Sequence, residues 1–232
     1  MTLGGEDILL AAWRGNVDQV QALISGGTDV NLCQDGFTAL HLAVWNLHKV
    51  VIELLLRVPT INPSTSNLSG YTSLHYAVWN NDVNTIGALL KACAKVSAED
   101  GEGKTPIIWA ASSGRTEVVK ILLEAGAEVS PRGRARLAAI YFAKSSSILQ
   151  TLIEGGADIE ARDSKRCTPL HIAALYRQFH AVMTLVEGGA DGFTRNGQGL
   201  KPFDPLMGGE KLLQAVIARL EEIDEEYERD YY

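Results

Sequence analysis

The stretch "TPLHIAALY", Thr168–Tyr176, decides how this chain is read, because it is one of a series. It recurs as "TALHLAVWN" from Thr38, "TSLHYAVWN" from Thr72 and "TPIIWAASS" from Thr105. The intervals are 34, 33 and 63 residues, and the last holds two copies, the middle one degraded to "ARLAAIYFA" from Ala135. A first copy starts near Glu6, and a truncated last one begins "KPFDPLM" at Lys201. Full copies continue into a second apolar segment, such as "VQALISGG", "VVKILLEAG", "LQTLIEGG" and "VMTLVEGG". Glycine at the end of each suits a left-handed helix stop. Every unit therefore reads helix, turn, helix, glycine stop, polar loop. Helices of two to three turns do not stand alone in water, so the units must stack and bury a shared core.

This pattern resembles the ankyrin-repeat family. The resemblance rests on Thr168-Pro169-Leu170-His171-Ile172-Ala173, on the partial versions at Thr38, Thr72 and Thr105, and on the "GAD" closing repeats five and six. It covers residues 3 to 220. It implies an all-α ankyrin-repeat solenoid of stacked helix-turn-helix units with β-hairpin finger loops. Seven units are expected, including both caps, starting near 6, 38, 72, 105, 135, 168 and 201. They form one repeat domain over 1–220, followed by an acidic tail over 221–232.

The tryptophans point to function. In the first helix of repeat two, Leu40, Ala43, Val44 and Leu47 make one helical face. At about 100° per residue, Trp45 lies roughly 150° from the centre of that face. The same place in successive repeats holds Trp13, Trp45, Trp79, Ser112, Phe142 and Leu175, with Trp109 three places earlier in repeat four. In ankyrin-like stacks this face lines a concave groove where the family binds partners. Large aromatic side chains are the usual energetic centre of an interface, so the expected partner is another protein or peptide. The competing reading is that the indoles cover each other and the repeat seams.

The residues before the repeat threonines add direction: Phe37, Tyr71, Lys104, Arg134, Cys167 and Leu200. Early fingers are aromatic and later ones basic, with Arg132, Arg134 and Arg136, then Arg162, Lys165 and Arg166, then Arg195. That suits a peptide with an apolar and an acidic part. The expected partner-binding residues are Trp13, Trp45, Trp79, Trp109, Phe142, Phe37, Tyr71, Lys104 and Arg134.

Other chemistry is weak in the sequence. "GEGKT" at Gly101–Thr105 resembles half of a phosphate-binding loop, but Ala98 stands where the first glycine belongs. A nucleotide-binding accessory through Gly103–Thr105 is the remote alternative. His41, His75 and His171 recur at the repeat period, which argues for a shared hydrogen-bonding role; in the family this histidine bonds backbone of neighbouring repeats. His48 and His180 have no partner at ligand spacing. No nucleophile motif is present, so neither catalytic residues, cofactor nor metal are expected. Cys33, Cys93 and Cys167 make no CxxC pair and are expected as small buried or half-buried thiols of a reducing compartment.

The chain has 232 residues, 46% of them hydrophobic, and a formal charge of −7. Seven acidic residues and one basic lie between Glu221 and Tyr232, so the body carries only −1. Nucleic acid is thereby disfavoured as a partner. No apolar run of ~18 residues stands in the sequence, and with no basic segment ahead of a long apolar one at its start a signal peptide is not expected. A cytoplasmic or nuclear location, no membrane association and a monomeric free state are expected. An inhibitory or regulatory subunit capping an enzyme or transcription factor is the alternative function. Two departures stand out. The interval Thr105→Ala135 is 30 residues, and repeat five lacks the Thr-Pro and the His. Residues 210–223 are expected as an amphipathic helix sealing the last repeat.

Overall fold

A computed structural model describes residues 4–129, 139–204 and 214–218. The chain divides into two compact units, one ending at Glu128 and the other beginning at Val129. In the first, helices α1 (Gly4–Arg14), α3 (Ala39–Trp45), α5 (Ser73–Asn80) and α7 (Pro106–Ser112) alternate with α2 (Val17–Ser25), α4 (Lys49–Leu56), α6 (Val83–Lys91) and α8 (Thr116–Glu124). First helices pack on first helices, and second on second: α1 on α3, α3 on α5, α5 on α7, and α2 on α4, α4 on α6. The second unit holds a 3-10 turn (Ala139–Phe142), α9 (Ser146–Glu154), α10 (Pro169–Leu175) and α11 (Phe179–Glu187).

The repeat motif explains where each first helix begins. Thr38, Thr72, Thr105 and Thr168 are extended N-cap residues with ψ of 165–168°. In three of the four, histidine at the third helical position closes a reciprocal cap, as glutamate does in a capping box. Small pairs at the repeat seam, Ala43-Val44, Ala77-Val78, Ala110-Ala111 and Ala173-Ala174, are buried and let neighbouring first helices approach closely. The second helices supply the bulk: Val51, Ile52 and Leu55; Ile86 and Leu89; Val118, Val119 and Leu122; Ile148, Leu149 and Leu152.

The fingers turn back as the expected hairpins, but most are too short for a strand ladder. Among the described residues only β1 (Cys33–Gln34) and β2 (Phe37–Thr38) form a ladder, pairing Cys33 with Thr38 and Gln34 with Phe37. Ser66 and Thr72 add one isolated bridge. The tip of each later described finger is held from five residues before the repeat start. There Asn67, Asp100, Asp163 and Asn196 each turn one side-chain oxygen onto two backbone N–H groups, two and four residues on. The backbone N–H of the same residue donates to the carbonyl four on, so the side chain reinforces a backbone-closed turn. Cys33 holds that place in the first finger, where the β1–β2 ladder makes the closure.

Successive fingers touch through backbone. Gly101 N–H donates to the Ser69 carbonyl at 2.7 Å. Gly70 has φ +81°, and a Cβ there would fall 2.6 Å from the Gly101 nitrogen. Gly70→Ala is therefore expected to cost about 1–3 kcal/mol, from the left-handed backbone and the clash together. Urea unfolding would show it; an unchanged midpoint would mean that the fingers part freely.

Two sequence expectations change here, and a third lies outside the described residues. Repeat five has no full first helix among the described residues: Ala139–Phe142 makes one 3-10 turn, where no Thr-x-x-His cap stands ahead of it. Cys33 and Cys93 are exposed and only Cys167 is buried; the first two sit on a finger strand and at a left-handed residue (φ 62°) after α6. The expected C-terminal helix and acidic tail lie outside the described residues, save helical 214–218 with Val216 buried.

Candidate functional site

Trp13, Trp45 and Trp79 stand at or near the ends of α1, α3 and α5. They are 46%, 47% and 63% exposed, as their angle from the buried face requires. Trp45 stacks on Tyr76 with centroids 5.0 Å apart, and Trp79 meets Trp109 edge-on at 5.5 Å. Tyr71 lies against both Tyr76 (6.0 Å) and Trp109 (5.2 Å). Trp45, Tyr76, Tyr71, Trp109 and Trp79 thus form an unbroken chain of five rings. With Asn80 they line a pocket of about 400 Å³.

Polar atoms hold this chain of rings. Trp109 is half-buried because its indole N–H donates to the Asp100 carboxylate at 2.9 Å. Asn67 donates to the Tyr76 hydroxyl at 2.8 Å, and burial pushes that phenol's pKa up. Asn80 donates from Nδ2 to the Val44 and Trp45 carbonyls, fixing α5 to the end of α3. The finger residue Phe37 touches Trp45 and Tyr76 from outside the pocket.

Tyr76 and Asn80 are the lining residues that reading the sequence missed. The signal for Tyr76 was present: it holds the place three before Trp79, as Trp109 does before Ser112. Trp13 stands apart, with no aromatic ring against it among the described residues, while its carbonyl accepts from His48 at 2.9 Å. Phe142 belongs to the 3-10 turn of the second unit and does not line the pocket. Lys104 pairs with Glu102 at 2.7 Å, which raises its pKa, and it lies off the lining. Arg134, with Arg132 and Arg136, is outside the described residues. Arg162, Lys165, Arg166 and Arg195 are exposed.

The histidines work as links. His41 Nδ1 accepts from the Thr38 N–H at 3.2 Å, so the ring is neutral and its proton sits on Nε2. Nε2 donates to the Tyr71 carbonyl of the next finger at 3.1 Å. His75 and His171 repeat the arrangement, reaching the Lys104 and Leu200 carbonyls. In repeat four Ile108 takes the histidine's place, and the Thr105 hydroxyl is buried without a partner among the described residues.

Gly101–Thr105 forms no phosphate cradle. The Glu102 and Lys104 amides point at the Asp100 carboxylate, the Gly103 amide at the Asp100 carbonyl and the Gly101 amide at Ser69. Four of the five amides are thus committed, and a phosphate would meet a carboxylate in its way. Among the described residues no His, Cys, Asp and Glu side chains group as metal ligands, and no helix is long and apolar enough to cross a membrane.

Comparison with known proteins agrees with this geometry. In sequence, mouse Rabankyrin-5 is 29% identical over 173 residues, covering 71% of this chain and 12% of that protein. The chicken nuclear factor NF-kappa-B p105 subunit is 30% identical over 168 residues, 66% of this chain and 17% of that one. The chain thus spans under a fifth of the length of either relative. In structure, the ankyrin repeat domain of Bcl-3, titled a member of the IkappaB protein family, superposes with a TM-score of 0.77 at 27% identity. It covers 85% of this chain and 92% of its own. The human ASB11 ankyrin repeat domain gives 0.74 at 25% identity over 90% and 96%. A model described as "Ankyrin repeats (3 copies)" matches residues 8–100 and 65–133, and one described as "Ankyrin repeat" matches 165–196. With the repeat spacing, the threonine caps and the histidine links in place, the chain belongs to the ankyrin-repeat family.

Proposed function

We propose that the first unit is a non-enzymatic docking module that grips a segment of a partner protein over Trp45, Trp79 and Trp109. Ankyrin repeats are protein-interaction modules, and the observation that carries the reading is the open pocket of five aromatic rings. Trp45 and Trp79 leave large apolar surface in water at one place on consecutive helices. A partner that covers them gains the burial. Trp13 and Phe37 extend the contact. Lys104 and Arg134 are its charged finger positions. The free protein is monomeric, works in the cytoplasm or nucleus, and takes neither nucleic acid nor membrane as partner. The body's near-zero charge supports the last point.

A second reading is favoured by the likeness to Bcl-3 and to p105. In it the chain is a regulatory subunit, and the partner is a folded domain held by fingers as well as pocket.

Trp45→Ala/Trp79→Ala tests the docking reading. Surface exposure alone would leave stability within about 0.5 kcal/mol. The ring pairs with Tyr76 and Trp109 raise the expected loss to about 1–3 kcal/mol. Binding of the partner, identified by cross-linking and mass spectrometry, should weaken by about 2 kcal/mol or more, roughly thirtyfold. The comparison is made where both forms are folded. Equal binding by the double variant would sink the assignment.

A further inference from the structure

We propose that the five-ring pocket receives the methylated ammonium head of a trimethyllysine side chain in the partner segment. This rests on the docking reading above and names the chemistry that the pocket selects. The lining of Trp45, Tyr71, Tyr76, Trp79 and Trp109 is nearly all aromatic. Aromatic faces carry negative potential and attract a cation within about 6 Å of a ring centroid, tryptophan most strongly. Here three of the five rings are indoles, and all five border one open pocket of about 400 Å³. A cation seated in that pocket meets more than one ring, while the rings' contacts with each other hold the wall in place. Asp100, hydrogen-bonded to the Trp109 indole at 2.9 Å, adds electron density to that ring from behind.

The other charges beside the pocket do not set the sign. Lys104 is paired with Glu102, and the Arg115 guanidinium is held on the Trp79 carbonyl at 3.0 Å. Asp100 and Glu102 balance them formally, so the rings' own fields decide. An anion would meet five electron-rich rings.

Which cation follows from the shortage of acceptors. A bare lysine ammonium brings three N–H donors that must be satisfied once water leaves. The pocket offers few partners for them. No carboxylate lines it; Asn80 has its amide nitrogen committed to Val44 and Trp45, which leaves its Oδ1 and the Tyr71 and Tyr76 hydroxyls, the latter already accepting from Asn67, as the lining's neutral side-chain acceptors. A trimethylammonium carries the same charge, has no donor to satisfy, and presents methyl groups to the rings. The site is open and continuous with the exposed Trp45 and Trp79, so the group arrives on a chain rather than as a free small cation.

The test is calorimetric titration of the full chain with a short capped peptide carrying one trimethyllysine. It is compared with the same peptide bearing unmodified lysine, with its uncharged tert-butyl isostere, and with free choline. The trimethyllysine peptide should bind, with both analogues weaker by about tenfold or more. Trp79→Phe keeps a ring and the packing but weakens the cation site, and should lose about threefold to tenfold in affinity for the charged peptide. Equal or tighter binding of the tert-butyl isostere would overturn the proposal in favour of a plain apolar pocket. Choline binding as tight as the peptide would overturn the peptide source. Failure of the trimethyllysine peptide to bind would also overturn it. If partner capture still depends on Trp45 and Trp79 in that case, the docking reading stands and the cation reading falls alone.

Discussion

Leu122→Ala is expected to lower stability by about 2–4 kcal/mol, the range for truncating a fully buried leucine in a core that collapses only partly. Leu122 sits in α8 with no exposed surface, among Val118 and Val119 of the same helix. The adjoining Leu123 is only half-buried and provides the control. Leu123→Ala should cost less than half as much, because its side chain already meets water. Urea unfolding followed by tryptophan fluorescence suits both variants, since Trp13, Trp45, Trp79 and Trp109 all lie in the first unit. Equal effects of the two substitutions would show that the register of α8 is wrong.

Acidification is expected to have an effect of similar size. Burial lowers the His41 pKa from 6.5 to about 4, and the bond to the Tyr71 carbonyl only partly opposes this. The unfolded chain therefore binds the proton more readily, and stability falls as pH falls. The contribution is complete above the unfolded value of 6.5 and is lost on the way down to about 4. For His41 alone this amounts to roughly 2 kcal/mol between about pH 7 and pH 5, and roughly 3 by pH 4. His75 is shifted the same way by burial and adds to it. The hydrogen bonding acts the same way as burial, since a second ring proton would face the Thr38 N–H, donor against donor. His41→Asn should be less stable near neutrality and less sensitive to acid. A variant with the full wild-type slope would mean that another group carries the pH dependence.

How far the sequence could be read depended on whether a rule was local. The first helices were legible because threonine cap, buried small pair and outward tryptophan repeat at one spacing. The exposure of Trp45 and Trp79 follows from an angle on a helix. The pocket did not follow, because it needs rings from three places per repeat: Tyr71 from a finger, Tyr76 and Trp109 from one helical row, Trp45 and Trp79 from another. Tyr76 alone among the five was read past: its row holds Leu42 in the preceding repeat, and only its pairing with Trp109 in the next marks it as aromatic. The finger turns were missed for a similar reason. An asparagine or aspartate five residues before the threonine looks like ordinary loop polarity until its oxygen is seen holding two amides.

The contact of Gly70 with the backbone of the next finger bears on how such a protein can change over time. Backbone lies where a side chain would grow, so this finger tip is closed to variation in size. The Trp45 and Trp79 side chains stand about half in water, with only ring contacts on their covered sides. Exchange there alters what is recognised at less cost to the frame than a clash with backbone. Inherited change in partner choice is thereby channelled to the helix face. A library randomised at positions 45, 76, 79 and 109 should keep far more folded members than one randomised at 36, 70 and 101.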